Sequence, residues 1–126
     1  RLDGKLPWTE LFALISRAQI FIGPDTSVTH IAAATGIPTL ALYGPTDPRL
    51  WGPWPADGLH QGWDAAGMTQ RRGNVWLVQN PLPCVPCQKE GCELDRDFGR
   101  SACLEEMRPA DVIKTVDEAL AAAALR

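Results

Sequence analysis

The first residues that could do chemistry form a short polar run: Asp25, Thr26, Ser27, Thr29 and His30. They follow an apolar segment and begin a helical pattern, so the free N–H groups and positive dipole end of that helix should lie among them. This combination binds phosphate. Helical side chains lean toward the N-terminus, so the imidazole of His30 should reach an anion held there. The alternative is that Asp25 and Thr26 only cap the helix and that His30 is a surface histidine.

A second polar loop has the sequence GPTDP and spans residues 44–48. It follows the next apolar segment along the chain. In open parallel sheets, ligands bind outside the carboxyl ends of the strands. If the two apolar segments are strands of one parallel sheet, both loops lie at the same edge. We therefore expect them to form the two sides of one site.

All four cysteines of the chain lie within one segment: Cys84, Cys87, Cys92 and Cys103. A C-x2-C pair lets one turn supply two thiolates, and four thiolates make a tetrahedral structural zinc site. The later spacings are less regular than in zinc ribbons, so free thiols stay an equal alternative. A disulfide framework is the weaker interpretation because no secretory signal is visible.

Three tryptophans, Trp51, Trp54 and Trp63, follow the second polar loop among Gly, Pro and Asp residues. Their rings could stack on a sugar or contact an acceptor. The alternative is that they anchor the loop to the protein. We favour anchoring, because burial of an aromatic ring is the usual way to fix a loop.

The elements that must position these residues alternate between helices and strands. Residues 9–18 place apolar side chains at helical spacing, and residues 19–23 are typical of a strand buried on both faces. A helix follows Thr26 and ends at Gly36, and residues 38–43 form a second strand. Strand, helix and strand make a βαβ unit with parallel strands and a right-handed crossover.

The periodic pattern stops after this unit. Residues 44–73 predict a long irregular loop, which in a compact domain is either functional or mobile. Residues 75–78 are a third strand candidate. A short helix should begin near Ser101, and a last helix should begin with Pro109 at its first position. The apolar stripe of this helix consists of Val112, Ile113, Val116, Ala119, Leu120 and Ala123.

Composition limits the fold and the partners. The chain has 126 residues, of which 45% are hydrophobic and 21% charged. These values suit one domain over residues 1–126. The cysteine segment is interpreted as a loop insertion within it at residues 80–104. The net charge is −3 and no basic patch is visible, so we expect no nucleic-acid partner. No apolar run is long enough to span a bilayer.

Three segments together resemble glycosyltransferase family 9, the ADP-heptose:lipopolysaccharide heptosyltransferases. They are GPDTSVTHIAAA at 23–34, GIPT at 36–39 and YGPTDP at 43–48. The signature of that family is D-[ST]-G-x-x-H-x-A-A, followed by a G-x-P strand and a G-P-T-D-P loop. The resemblance covers about residues 11–53. Ser27 stands where the family usually has glycine, and a glycine would let a ligand come closer to the backbone.

The resemblance implies a GT-B enzyme with two Rossmann-like domains. This chain would be most of the C-terminal domain, a Rossmann-like parallel sheet with flanking helices that is truncated before its first strands. By the same implication, Asp25 contacts the donor sugar, the amides and hydroxyls after it hold the diphosphate with His30, and the second loop lines the other side of the cleft. The residues so implied are Asp25, Thr26, Ser27, Val28, Thr29, His30, Gly44, Pro45, Thr46 and Asp47.

The resemblance also implies substrates and partners. A heptose or related sugar would move from a nucleotide sugar such as ADP-heptose to a hydroxyl of the lipopolysaccharide core, with no cofactor required. The general base would lie in an N-terminal domain upstream of Arg1, so the fragment alone should lack turnover. We expect a cytoplasmic protein, peripheral to the inner membrane. The alternatives are another GT-B sugar-nucleotide enzyme and a zinc-stabilised nucleotide-binding or interaction module.

Overall fold

The computed structural model describes residues 4–65, 67–92 and 99–125. Strands and helices alternate over most of this length, so the α/β prediction is confirmed. The strands are β1 (Phe21–Pro24), β2 (Thr39–Tyr43), β3 (Thr69–Arg72) and β4 (Val75–Gln79). The helices are α1 (Trp8–Ile15), α2 (Ser27–Thr35), α3 (Pro48–Trp51), α4 (Ala102–Glu105) and α5 (Pro109–Ala124).

The described strands form one open sheet in the order β1-β2-β4-β3. β1 pairs with β2 in parallel, with Gly23 beside Ala41, and β2 pairs with β4 in parallel, with Ala41 beside Leu77. β3 runs antiparallel to β4. Because β1, β2 and β4 point the same way, the chain segments that follow them leave from one edge of the sheet.

Side chains on successive residues of β2 and β4 alternate between two apolar clusters, as the pleat requires. The first cluster lies on the α2 side of the sheet and contains Ala33, Ala41, Tyr43, Trp63, Val75 and Leu77. The second cluster lies under α5 and contains Leu40, Trp76, Val78 and Ala119. Both faces of the two central strands are therefore buried, which explains their continuous apolar sequences.

Helix boundaries largely follow the sequence signals. α2 ends at Gly36, whose φ of 85° is the left-handed conformation that favours glycine, and Pro109 begins α5. The buried residues of α2 are Thr29, Ala32 and Ala33. Val28 and Ile31 of the same helix are half-buried.

Two expectations about the fold are wrong. β1 is not buried on both faces: it lies at the edge of the described sheet, and Ile22 is 46% exposed. Residues 44–73 are not irregular throughout, because they contain α3 and β3. β3 has the sequence TQRR, which carries no apolar alternation. It forms because it pairs with β4 and because Gln70 is buried against the loop.

Among the described residues, no helix is both long enough and apolar enough to cross a membrane.

Candidate functional site

A cavity of about 580 Å³ opens at the edge of the sheet where the parallel strands end. Each of the three parallel strands contributes to its wall through the segment that follows it. Asp25 comes after β1, and Pro45 and Thr46 come after β2, with Trp51 of α3 beyond them. The segment after β4 supplies Gln88, Lys89, Glu90, Gly91, Gly99 and Ser101. The two polar loops singled out in the sequence thus border one cavity, the first through Asp25 and the second through Pro45 and Thr46. Residues 26–30 are not among the described residues that line it.

Asp25 is held from inside the protein by a tyrosine hydroxyl. Its Oδ1 lies 3.2 Å from the Oη of Tyr43, which donates a second, shorter bond of 2.7 Å to the carbonyl oxygen of Trp51. A phenol has one proton, which the two acceptors share, so the carboxylate keeps most of its acceptor capacity. The Asp25 side chain is 29% exposed and is accessible to a ligand.

Tyr43 is fully buried at the end of β2. Burial raises the pKa of its phenol far above the ordinary value, and the negative charge of Asp25 raises it further. The group is therefore a neutral hydrogen-bond donor at any ordinary pH. Its role in this geometry is to connect the loop after β1 to the end of α3.

His30 leans toward the start of α2, as the helical geometry predicts. Its Nε2 lies 3.9 Å from the Oδ1 of Asp25, and its side chain is 40% exposed. Imidazole and carboxylate therefore stand side by side, both accessible from solvent. When protonated, His30 carries a positive charge next to the first turn of the helix.

The first turn of α2 has no side-chain cap. Thr26 occupies the N-cap position, but its side chain makes no capping hydrogen bond. Its carbonyl oxygen accepts bonds from the amides of Thr29, at 3.0 Å, and His30, at 3.4 Å. Within the described residues, the amides of Ser27 and Val28 have no backbone acceptor. These two donors, with the exposed hydroxyls of Thr26 and Ser27, can bind a ligand.

Thr29 contributes to the fold rather than a free hydroxyl. Its side chain is fully buried, and its Oγ1 donates to the carbonyl oxygen of Pro24 at 2.6 Å. This bond joins the first turn of α2 to the end of β1. The predicted hydroxyl donors are therefore reduced to those of Thr26 and Ser27, while Val28 is half-buried and offers its amide.

Asp47, in the second loop, has a structural contact that Asp25 lacks. Its carboxylate accepts a bond from the amide of Arg49 at 3.0 Å and so caps α3. The guanidinium of Arg49 lies 2.7 Å from the same group. Hydrogen bonding to Arg49 lowers the pKa of Asp47 below its ordinary value. Asp47 is not among the described residues that line the cavity.

Gly44 and Gln79 fix the second loop against the sheet. The buried side chain of Gln79 donates to the carbonyl oxygens of Gly44, at 2.8 Å, and Thr46, at 2.9 Å. A Cβ on Gly44 would lie 2.9 Å from the Cγ of Leu104, so glycine lets α4 approach the loop. Gly44 therefore supports the wall, while Pro45 and Thr46 form its surface.

Sequence reasoning missed the third wall of the cavity, which the cysteine segment forms. The amide of Gln88 donates to the carbonyl oxygen of Pro45 at 2.8 Å and joins this segment to the second loop. One sequence signal could have found it. The segment follows a third apolar strand, so by the parallel-strand argument it must also leave the sheet at the ligand-binding edge.

The cysteines are free thiols in the described structure. Cys103 is buried, and burial raises the pKa of its thiol, whereas Cys84 is exposed. The Sγ of Cys92 accepts a bond from the amide of Ala102 at 3.2 Å. Within the described ranges, no group of three or more Cys, His, Asp or Glu side chains is arranged to hold a metal. Zinc at Cys84, Cys87, Cys92 and Cys103 stays a prediction, which elemental analysis of the purified chain would test.

The three loop tryptophans have different environments. Trp63 is 5% exposed, belongs to the core and donates from its Nε1 to the carbonyl oxygen of Pro53 at 3.2 Å. Anchoring is therefore the right interpretation for Trp63. Trp51 and Trp54 are 58% and 66% exposed, so their side chains do not anchor the loop in this way.

Residues 1–96 match the model of "Glycosyltransferase family 9 (heptosyltransferase)". The chain is 51% identical over 53 residues to lipopolysaccharide heptosyltransferase 3 of Escherichia coli. These 53 residues are 42% of this chain and 16% of that protein. It is 32% identical over 79 residues to lipopolysaccharide heptosyltransferase 1 of Pseudomonas aeruginosa. These 79 residues are 63% of this chain and 18% of that protein.

A third relative matches over more of the chain. Lipooligosaccharide heptosyltransferase 2 of Campylobacter jejuni is 26% identical over 102 residues, which is 81% of this chain and 26% of that protein. In these three relatives the chain thus spans between 16% and 26% of the length. No solved structure gives a significant match to the chain.

Proposed function

Because the chain belongs to glycosyltransferase family 9, we propose that it binds the nucleotide-sugar donor of a heptosyl transfer to lipopolysaccharide. The observation that carries this proposal is the uncapped first turn of α2, which follows directly on Asp25, the residue of this loop that lines the cavity. Amide donors for an anion and a carboxylate for hydroxyl groups are the two chemistries that a sugar diphosphate requires. Heptose and lipopolysaccharide come from the names of the relatives.

Each part of the donor has a partner in this proposal. The diphosphate accepts hydrogen bonds from the amides of Ser27 and Val28 and from the hydroxyls of Thr26 and Ser27. His30 adds a donor, and when protonated a positive charge, on the same side. Asp25 accepts hydrogen bonds from hydroxyls of the sugar. The loop after β2 closes the far side of the cavity.

The proposed transfer breaks the bond between the anomeric carbon of the sugar and the diphosphate oxygen. The leaving diphosphate takes the electron pair, so negative charge grows at the position that the α2 amides face. Donors fixed in place before the reaction stabilise this charge at no cost of reorganisation. The acceptor oxygen forms the new bond to the anomeric carbon, and its proton passes to a general base.

We place that general base outside this chain. The family resemblance puts it in an N-terminal domain, and the relatives are several times longer than the segment they share with this chain. The 126-residue chain should then bind donor without transferring the sugar. Because the acceptor is part of a lipid-anchored core, we also propose a cytoplasmic protein that is peripheral to the inner membrane.

Titration of the 15N-labelled chain with ADP, followed by amide NMR, tests donor binding. We expect chemical-shift changes at Ser27, Val28 and His30, where the proposed diphosphate contacts lie. AMP, which lacks only the second phosphate, is the matched control ligand and should give weaker shifts at the same amides. Shifts confined to other surfaces, or none at millimolar ADP, would reject the proposal.

A further inference from the structure

One wall of the cavity is an exposed tryptophan to which the donor contacts described above assign no role. Trp51 lies at the end of α3 and lines the cavity, although its side chain is 58% exposed. A large ring left in water gains little burial free energy within the protein itself. Pockets for small molecules combine such apolar surfaces with a few well-placed polar groups. The carboxylate of Asp25 is one of the polar groups that line the same cavity.

A single buried hydroxyl fixes Trp51 relative to Asp25. The Oη of Tyr43 lies 2.7 Å from the carbonyl oxygen of Trp51 and 3.2 Å from the Oδ1 of Asp25. The α3 turn is closed on both sides, since the Asp47 carboxylate caps its start and the Gly52 amide donates to the Pro48 carbonyl at 2.8 Å. The backbone of Trp51 is thus held at a fixed place beside the carboxylate.

Trp54 provides an internal comparison. It lies three residues after Trp51 and has a similar exposed fraction, 66%. It is not among the residues that line the cavity. The two tryptophans therefore differ in whether they line the cavity and hardly in their exposure to water.

We propose that Trp51 is a sugar-binding residue, which packs its indole on the C–H face of the donor sugar while Asp25 accepts bonds from hydroxyls of the same ring. This inference rests on the proposed donor-binding function of the cavity. A pyranose ring has an apolar C–H face and several hydroxyl donors, so it matches an indole beside a carboxylate. An adenine base also stacks on indoles, so the sugar and the nucleotide must be tested separately.

Calorimetric titration of the chain with ADP and with ADP-heptose separates the two halves of the donor. In the wild-type chain, ADP-heptose should bind more tightly than ADP. Trp51→Ala should weaken ADP-heptose binding by about three- to tenfold, the scale of one aromatic contact, and leave ADP binding unchanged. Trp54→Ala should leave both affinities at the wild-type values, and Trp51→Phe should retain most of the sugar contribution.

Each other outcome has a defined meaning. Wild-type affinity of Trp51→Ala for ADP-heptose would overturn the role of Trp51 and leave donor binding intact. An equal loss for ADP and ADP-heptose would place the indole on the nucleotide and overturn the inference as well. If the wild-type chain bound neither ligand, the proposed function would fall, and this inference with it.

An NMR measurement keeps the test decisive if Trp51→Ala unfolds. The indole Nε1–H resonance of Trp51 can be assigned from its loss in Trp51→Phe. It should shift with ADP-heptose and stay in place with ADP, while the Trp54 indole should respond to neither. If the indole resonance of Trp51 did not shift on addition of ADP-heptose, the proposal would be wrong.

Discussion

Asp25 and Asp47 are the same residue type in similar loops after neighbouring strands, yet they have different roles. Asp47 caps α3 and pairs with Arg49, so its carboxylate is satisfied inside the protein. Asp25 caps nothing, and its protein neighbours are a tyrosine hydroxyl and an imidazole. A carboxylate with unused acceptor capacity at a cavity is the better candidate for ligand binding. This difference arises from contacts, and residue type does not reveal it.

His30→Ala should weaken ADP binding by about tenfold, because the variant loses a donor beside the diphosphate position. Calorimetric titration of the chain measures this directly. His60→Ala is the matched control, since His60 is exposed and, unlike His30, lies far along the chain from Asp25 and the first turn of α2. Equal affinities of the two variants would remove His30 from the proposed site.

Tyr43→Phe should reduce the free energy of unfolding by about 1–2 kcal/mol at neutral pH, because it leaves the Trp51 carbonyl without its internal donor. The contribution of Tyr43 to stability also depends on pH, and its direction follows from the pKa of the phenol. Burial raises the pKa of Tyr43 in the folded chain, so the native state holds this proton more tightly than the unfolded state. The stability due to Tyr43 is fully present below about pH 10, the ordinary tyrosine pKa, and declines as the pH rises further.

Denaturant unfolding of wild type and Tyr43→Phe between about pH 7 and pH 11 measures how the difference in their free energies of unfolding changes with pH. The stability advantage of the wild type should shrink above about pH 10, because phenylalanine has no proton to lose. A constant difference over the whole range would show that Tyr43 does not titrate abnormally in the folded chain.

At the scale of secondary structure, α2 and α3 begin in different ways, and this sets what each can bind. α2 has nine residues and no side-chain cap, so its first amides are available. α3 has four residues and is capped by Asp47. The short helix therefore serves to place Trp51 and the loop around it. A side-chain cap occupies the first amides of α3, so that helix only supports the wall of the cavity. The first amides of α2 are uncapped and can bind a ligand.

Asp47→Ala should lower the free energy of unfolding by about 1 kcal/mol, the usual cost of a lost N-cap. Arg49 lowers the pKa of Asp47 in the folded chain. This stabilisation is therefore present above about pH 4, the ordinary aspartate pKa, and is lost as the pH falls through the lower folded value. Denaturant unfolding at pH 7 and at pH 3 measures both effects.

Asp117→Ala on α5 is the control for Asp47→Ala, because Asp117 is exposed and has no contact of this kind among the described residues. It should change the free energy of unfolding by less than about 0.5 kcal/mol. If Asp47→Ala were as mild as this control at pH 7, the capping role of Asp47 would be wrong.

For the whole molecule, the open side of the sheet is the main structural consequence of the strand order. β1 lies at the edge of the described sheet, and its neighbour in the described residues is β2 alone. Ile22 is 46% exposed on this strand. An exposed apolar edge strand can pair with another chain, and natural proteins block such edges with charged side chains.

The 126-residue chain should therefore self-associate as its concentration rises, and Ile22→Lys should reduce that association. Size-exclusion chromatography with light scattering measures the mass over a concentration series. Ile113→Lys is the matched control, since Ile113 is 60% exposed on α5 and away from the sheet edge. If both variants behaved alike, a surface other than the β1 edge would cause the association.

The local elements of this protein were largely readable from the sequence. Gly36 ends α2, Pro109 begins α5, and the apolar runs at 38–43 and 75–78 contain the strands β2 and β4, because these signals rest on short-range backbone chemistry or on a continuous apolar sequence. Polar β3 had no such signal, and its pairing with β4 forms through contacts with a strand already in place. β1 looked like a central strand because an apolar tetrapeptide carries no information about its neighbours.

The sequence by itself determined the family, the βαβ unit and the two polar loops at its carboxyl end. Only the tertiary structure decided that Asp25 keeps its acceptor capacity while Asp47 is used as a cap, that Thr29 is buried, and that Trp51 lines the cavity while Trp54 does not. The physical reason is that helix and turn signals act over a few residues. The surroundings of a side chain depend on segments far apart in the chain, which meet only when the sheet forms.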